Sequence, residues 1–311
     1  MELVPADLPV LHSLAAVAEA QQWLRELPTL IDEVREEFGL RLHPPLHGGS
    51  CSWVAPAELS DGTAVIVKIG WPHREMIGEP AALKRWGGDG AVRLIAADRR
   101  RHALILAPCV PGLELGRLDA PAGERLRIGC SVLRRLWSAE PPPAPAGDFE
   151  RLADVTAEWG DLALERMARL SPGYDPGLVA EGARLLRELP ATGRRDVLLH
   201  GDFNPGNILS AGPAWLAIDP KPMVGDAAYD PWPLLQQIDD PFSYAFPAPR
   251  LRDRAAILSQ ELSLPAERIV AWGVARMVDA ALWTAHHGDL AGGADLMARV
   301  HILATLSVDG V

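Results

Sequence analysis

Residues 197–231 read VLLHGDFNPGNILSAGPAWLAIDPKPMVGDAAYDP, and the rest of the chain is organised around them. Asp202 and Asn207 lie five positions apart, and Asp219 follows a short apolar run at 215–218. Pro205-Gly206 makes a turn ahead of Asn207, and Ile208-Leu209 and Leu216-Ile218 read as paired strands that hold the two flanking polar residues rigidly. An Asp or Asn in a hairpin turn is ordinary taken singly, because both side chains suit turns. Two acids and an amide presented in this order by tight turns are not.

The chemistry that needs such a set is phosphoryl transfer, where the protein orients an attacking hydroxyl and holds Mg²⁺ on ATP phosphates. Kinase catalytic loops follow H-R-D-x-x-x-x-N, with the Asp as base and the Asn as metal ligand. His200-Gly201-Asp202 with Asn207 repeats that spacing, and Asp219 stands where the second metal-binding Asp belongs.

Length and composition set the frame. A chain of 311 residues with 48% hydrophobic residues suits two lobes around a cleft, each with its own core. Cys51, Cys109 and Cys130 are odd in number and widely spaced, which suggests neither a disulfide framework nor a zinc site and fits a reducing cytoplasm. The segment MELVPADLPV lacks the basic residues that precede an export signal, and no apolar run reaches about 18 residues, so a soluble cytoplasmic protein is expected. The net charge of −11 disfavours nucleic acid and anionic membrane as partners and favours a cationic one.

Along the chain, helical periodicity at 12–27 and 29–38, separated by Pro28, gives a helical lead-in. Strands are expected at 41–46, 52–59, 63–69, 91–97 and 101–106, with Asp61-Gly62 turning the second into the third. Gly48-Gly49-Ser50 lies between the first two strands, flexible enough for its backbone N–H groups to approach phosphate, although it lacks GxGxxG. Lys68 in the apolar run AVIVKI needs a partner. Glu79, in a helix expected at 74–86, is suitably placed, and Glu75 one turn earlier is a rival. Ala107 to Gly112 read as a hinge whose backbone at Ala107 and Cys109 would bond adenine, Cys109 being an apolar neighbour and not a nucleophile.

Helices are expected beyond the hinge at 124–139, 149–170 and 176–189, with a stiff proline-rich connection at 141–145. Gly225-Asp226 opens a further helix with Asp226 as its N-cap and Asp230 one turn on. Tail helices at 250–262, 265–286 and 289–306 follow, and Asp279, Trp283 and His286 or His287 make a one-turn stripe suited to a sugar or guanidinium.

HGDFNPGNIL and WLAIDPKPMVGDAAYD, with Lys68 and Glu79 upstream, resemble the aminoglycoside phosphotransferase family of kinase-like enzymes. RWGGDGAVRL, WLAIDPKPMVGDAAYDPWP and AWGVARMVDAALW are closer to its streptomycin 6-kinase and hydroxyurea phosphotransferase branch, so the similarity runs from about residue 40 to 283. The resemblance implies an α+β, bilobal protein-kinase-like fold: a small antiparallel-sheet lobe over 1–106, a hinge at 107–112 and a larger, mainly helical lobe over 113–311. It implies transfer of the ATP γ-phosphate to a drug hydroxyl, and a monomer is expected. Asp202 would be the base, Asn207 and Asp219 the Mg²⁺ ligands, Lys68 the phosphate anchor and Glu79 its partner, with His200 and Asp230 supporting the loop. Gly48, Gly49, Ser50, Ala107 and Cys109 would contact nucleotide, and Asp226, Asp279 and Trp283 the acceptor.

Two features depart from that branch. The loop HGDFNP follows the broader superfamily form, and Lys221 puts a cation near the site, which would repel a cationic acceptor unless an acid such as Asp226 neutralises it. Three functions therefore stand at this point: an antibiotic O-phosphotransferase, a metabolic kinase for an amino sugar or polyol, and a nucleotide-binding pseudokinase, the last disfavoured by the intact Lys68, Asp202, Asn207 and Asp219.

Overall fold

Asp61-Gly62 turns the chain so that Ser52–Glu58 (β2) and Ala64–Gly70 (β3) pair antiparallel along their whole length, with Val54 opposite Lys68. A computed structural model describes residues 2–142 and 147–308; Pro143, Ala144 and Pro145 of the proline-rich run and residues 309–311 lie outside it. Arg41–Leu42 (β1), Leu94–Asp98 (β4) and Ala103–Leu106 (β5) complete a five-stranded antiparallel sheet in the order β1-β2-β3-β5-β4.

Alternation along β3 sorts the two faces of this sheet. Val65, Val67 and Ile69 are buried against Pro9–Leu14 (α1) and Gln21–Glu37 (α2). Lys68 lies opposite Leu104, and Leu104 and Leu106 join Ala82, Leu83 and Trp86 of Glu79–Trp86 (α3) in the large core of the C-terminal half. This differs from the expectation of one core per lobe: among the described residues, the inner face of the sheet and α3 share the C-terminal core. Each face of a two-sided sheet is buried against whatever covers it, and here two different layers do so.

Three local readings are corrected. The helical lead-in does not break at Pro28; α2 runs straight through it. Pro28 is exposed, while Leu27 and Ile31 on either side are buried, so packing outweighs the lost backbone bond. The first strand ends at Leu42 because Pro44 and Pro45 have no N–H to give, although His43 N and Leu46 N continue the pairing to Pro56 O and Val54 O. The strand expected from Ala91 starts at Leu94, because Ala91 forms a parallel bridge with Ala217 of a C-terminal hairpin, Val92 N donating to Ala217 O and Ala217 N to Gly90 O.

Beyond the crossover, Pro111–Glu114 (β6) is an edge strand and not loop, pairing with Ile208–Ala211 (β9), which pairs in turn with Ala214–Ala217 (β10). Glu150–Arg151 (β7), Asp196–Leu198 (β8) and Met223–Asp226 (β11) form a third small sheet in the order β7-β11-β8. The helix expected to open at Gly225 is therefore strand. Gly225 pairs with Val197 and lies against Leu152, where an added Cβ would come within 2.5 Å of that side chain. A 3-10 turn, Ala227–Tyr229, then leads into Pro231–Gln237 (α7).

Ala122–Leu136 (α4), Leu152–Leu170 (α5), Pro176–Glu188 (α6), Pro247–Leu262 (α8), Ala266–His286 (α9) and Leu290–Val308 (α10) make up the helical body. Its core holds Trp232, Trp272, Tyr229 and Phe203. No described helix is long and apolar enough to cross a membrane.

Replacing exposed Pro28 by Ala restores one backbone bond within α2 at little cost to packing. Set against the greater freedom this gives the unfolded chain, Pro28→Ala should raise stability by about 1–2 kcal/mol. A urea titration checks this, and a lowered unfolding midpoint would contradict the account of α2.

Candidate active site

The turn between β8 and β9 carries His200, Asp202 and Asn207, and its shape follows from four locally encoded bonds. Asn204, ahead of Pro205-Gly206, accepts from the N–H groups of Gly206 (2.9 Å) and Asn207 (3.2 Å). Asn207 Nδ2 donates back to the Asp202 carbonyl at 3.0 Å, and Asn204 Nδ2 to Asp202 Oδ1 at 3.2 Å. Asn207 Nδ2 also lies 3.4 Å from Asp202 Oδ2, so the carboxylate is held by two amides of its own loop. Asn204 was not singled out in the sequence, although Asn ahead of Pro-Gly is a turn-capping signal.

Beneath the loop, Asp230 is completely buried. Its Oδ2 accepts from His200 N at 2.9 Å and its Oδ1 from Gly201 N at 2.8 Å, with Trp137 Nε1 at 3.2 Å. Burial raises its carboxyl pKa, opposed by His200 and by these bonds. His200, also fully buried, is depressed by desolvation and hence neutral. Its Nε2–H donates to the Ile218 carbonyl at 3.0 Å while Nδ1 accepts from Asp202 N at 3.3 Å, so one ring ties the Asp202 loop to the residue before Asp219. Gly201 is obligatory: at φ +82 an added Cβ would lie 1.9 Å from the Lys221 carbonyl oxygen.

Asp219 follows β10 at φ +57, a left-handed conformation that Asp tolerates. Ile218 N bonds to Asn207 O at 2.9 Å, which sets Asn207 and Asp219 on adjoining chains. Lys68 reaches across from β3. Its Nζ donates to both oxygens of Glu79 at 2.7 Å and to Asp219 Oδ1 at 2.5 Å, and it is only 8% exposed. Burial disfavours this ammonium, but the two carboxylates outweigh that and raise its pKa, so it remains charged. Against its own burial cost, Asp219 is held below the usual carboxylate range by Lys68. Of the two partners weighed for Lys68, Glu79 has the place, at 1% exposure in the first turn of α3.

Glu75 pairs instead with Lys221 at 3.1 Å, and Lys221 Nζ lies 3.7 Å from Asp202 Oδ2. Burial opposes the Lys221 charge, and Glu75 followed by Asp202 restores it, leaving its pKa raised. The acid that neutralises Lys221 is thus not Asp226. Asp226, 2% exposed, accepts from Arg268 Nε (2.8 Å), Trp272 Nε1 (2.6 Å) and, capping the 3-10 turn, Ala228 N (3.3 Å).

A cavity of about 490 Å³ opens beside Asp202, with Glu75, Glu150, Trp159, Lys221 and Arg276 in its wall. Arg276 donates to the Tyr229 and Gly201 carbonyls at 3.1 and 3.4 Å and covers the Tyr229 ring. Sequence reading missed Arg276, Trp159 and Glu150, which reach the site from other elements. Asp226, Asp279 and Trp283 do not line this cavity. Asp279 lies one turn beyond Arg276 on α9, where Arg166 of α5 covers it at 3.5 Å, and Trp283, 52% exposed, packs on His287 with ring centroids 4.0 Å apart.

Gly48, Gly49 and Ser50 form an exposed loop between β1 and β2, with Gly49 at φ +87. At the crossover Ala107 N is already bonded to Arg93 O at 2.9 Å, and burial pushes the Cys109 thiol up, away from a reactive thiolate.

A family model described as aminoglycoside/hydroxyurea antibiotic resistance kinase matches residues 43–288. A streptomycin 6-kinase from Streptomyces glaucescens is 30% identical over 293 residues, covering 93% of this chain and 92% of that protein. A hydroxyurea phosphotransferase from Kitasatospora aureofaciens is 31% identical over 290 residues, 93% of this chain and 82% of that protein. In fold, the chain is similar to a thermostable mutant of aminoglycoside phosphotransferase APH(4)-Ia solved in ternary complex with ADP and hygromycin B. The TM-score is 0.59 at 16% identity, covering 88% of this chain and 97% of that one.

Burial pushes the Asp279 carboxyl up to about 6 from 3.8, with Arg166 and Arg276 opposing, and its Oδ1 has no hydrogen-bond partner. The fold therefore binds this proton more tightly than the unfolded chain does, and stability present below pH 3.8 is lost as pH rises through about 6. Asp279→Asn should stabilise the protein by on the order of 2 kcal/mol at about pH 7.5, and by much less at about pH 4.5. Urea midpoints at the two pH values check this; a gain independent of pH would contradict it.

Proposed function

The chain belongs to the aminoglycoside/hydroxyurea antibiotic resistance kinase family, and from that premise we propose that it transfers the ATP γ-phosphoryl group to a hydroxyl of a streptomycin-like aminocyclitol antibiotic. The observation that carries this reading is the continuous set of bonds from Glu79 through Lys68 to Asp219, with Asp202 held on the adjoining loop at the wall of a cavity large enough for an acceptor.

In this reading Lys68, kept protonated by its two carboxylates, contacts the α- and β-phosphates, and the glycine loop at 48–50 covers them. Adenine lies against the crossover, where the committed Ala107 amide leaves the Ala107 carbonyl and the Cys109 backbone as its partners. Asp202 accepts the proton of the acceptor hydroxyl as its oxygen bonds to the γ-phosphorus and the bond to the leaving ADP oxygen breaks. The loop amides orient Asp202, and Lys221 Nζ lies 3.7 Å from its Oδ2.

Asn207 and half-exposed Asp219 fit Mg²⁺. Their oxygens are hard donors, and with its nitrogen committed to Asp202, the Asn207 amide has its oxygen left for a cation. Among the described residues no group of three or more His, Cys, Asp or Glu could hold a metal, so phosphate and water would complete the shell. When bound, the ion neutralises charge on the phosphates.

ADP release with Mg·ATP across streptomycin, other aminoglycosides, hydroxyurea and amino sugars tests the reading. With streptomycin, Asp202→Ala should lower turnover about 10²- to 10⁴-fold and leave nucleotide affinity nearly unchanged, whereas Asp219→Ala should weaken Mg·ATP binding. Unimpaired turnover would remove Asp202 from the mechanism. Turnover with an amino sugar alone would make this a metabolic kinase, and nucleotide binding with no turnover would favour a pseudokinase.

A further inference from the structure

Arg74, Lys221 and Arg276 each bring a cation to the wall of the cavity beside Asp202. Arg74, on the 3-10 turn Arg74–Met76 between β3 and α3, is committed to Glu150 and Glu158 at 2.7 Å each. Arg276 is committed to two backbone carbonyls and the Tyr229 ring. Lys221 is held more lightly. Among the described residues Glu75 is the acid within hydrogen-bond distance of its ammonium, at 3.1 Å, and an ammonium has three N–H groups to give.

The backbone of Lys221 is fixed by what surrounds it. Lys221 N donates to His200 O at 2.7 Å, and its carbonyl lies so close to Gly201 that only glycine fits there. Pro220 and Pro222 flank it, so φ of both neighbours is set and Lys221 itself is steered toward extended backbone. Pro222 in turn packs against the lead-in to α3, where a Cβ added to Gly78 would come within 2.8 Å of its ring. The ammonium is thus carried on a stiff support to 3.7 Å from Asp202 Oδ2. A half-exposed ion pair with Glu75 adds little to stability and gives no reason for that support. Lys68 and Asp219 do not line this cavity, whereas Lys221 and Asp202 do.

We infer that Lys221 is a catalytic residue that donates to an equatorial oxygen of the phosphoryl group in transit, a role distinct from the grip of Lys68 on the α- and β-phosphates. This rests on the kinase reading. The acceptor oxygen bonds to phosphorus, the bond to the ADP oxygen breaks and the hydroxyl proton goes to Asp202, while Lys221 keeps its own proton throughout. In such a transfer negative charge is spread over the equatorial oxygens of the moving group. An ammonium beside the base meets that group as it reaches the acceptor, so the contact is made in the transition state and not with bound ADP. Glu75, nearer to the ammonium than Asp202 is, keeps Lys221 from a tight ion pair with the base and so leaves Asp202 open to a proton.

A simple latch between the 3-10 turn and the Asp219 hairpin would use the same ion pair, and breaking the pair from its other side separates the two roles. Titration calorimetry of ADP with Mg²⁺, with and without aluminium fluoride as an anion in place of the phosphoryl group, is run beside streptomycin-dependent ADP release on the wild type, Lys221→Met and Glu75→Gln. Lys221 and Glu75 are about half exposed, so both variants should fold. Lys221→Met should lower kcat about 10²- to 10³-fold, with ADP affinity and the KM for streptomycin changed less than about threefold, and should remove most of the tightening that aluminium fluoride gives. Glu75→Gln should lose far less turnover than Lys221→Met. Equal losses in the two variants, a loss confined to KM, or an aluminium fluoride effect that is the same in wild type and Lys221→Met would overturn the inference. Turnover that needs Asp202 but not Lys221 would overturn it and leave the proposed reaction standing. Tightening that depends on Lys221, with no ADP release in the presence of streptomycin, would support the role of Lys221 and count against the proposed acceptor.

Discussion

One buried ammonium sets the geometry on which everything else rests. Lys68 sits in the middle of an apolar strand, and burying its charge is tolerated only because Glu79 and Asp219 meet it from two different parts of the chain. Such a network is weak evidence for stability, since apolar residues of similar volume would hold the same elements together as well or better. What it does is fix position. It sets α3 against the inner face of the sheet and brings the end of the β9–β10 hairpin to that same face, and this is where the core of the C-terminal half extends into the sheet. The phosphotransferase assignment depends on that junction.

The second constraint is the pair of buried groups under the Asp202 loop. Asp230 grips two successive backbone amides and neutral His200 bridges to Ile218, so the loop has few ways to move without stranding a buried polar group. Gly201 is the necessary companion, because no side chain fits between that backbone and the Lys221 carbonyl. The cleft is then a problem of charge. Asp202, Glu75 and Glu150 line one cavity, and Arg74, Lys221 and Arg276 in the same wall set three cations against them.

What could be read from the sequence was what is encoded locally. The spacing of His200, Asp202 and Asn207 is set within one turn, and the hairpin carrying Asp219 follows from a short apolar run either side of Gly212-Pro213. The antiparallel order through Asp61-Gly62 and the helical body were legible for the same reason. Pro28 misled because a local breaker was overruled by burial on both sides of it. Gly225 misled because a strand pairing with Val197, far away in sequence, replaced the helix that local pattern favoured. Asp226, Asp279 and Trp283 were chosen by residue type and helical spacing, and neither reveals which neighbour covers a side chain: Arg268 takes the first, and Arg166 the second. The wall of the cavity beside Asp202 was illegible for the same physical reason, since Arg74 meets Glu150 only through tertiary packing.

The central claim is that these groups move a phosphoryl group from ATP to a hydroxyl of a cationic antibiotic. The most direct measurement is the mass of streptomycin recovered after incubation with the protein and Mg·ATP, with the modified position located by phosphorus–proton NMR. The account predicts a product one phosphoryl group heavier, esterified at a single hydroxyl, formed in step with ADP. Unmodified streptomycin recovered while ATP is consumed, or phosphate found on nitrogen, would contradict it.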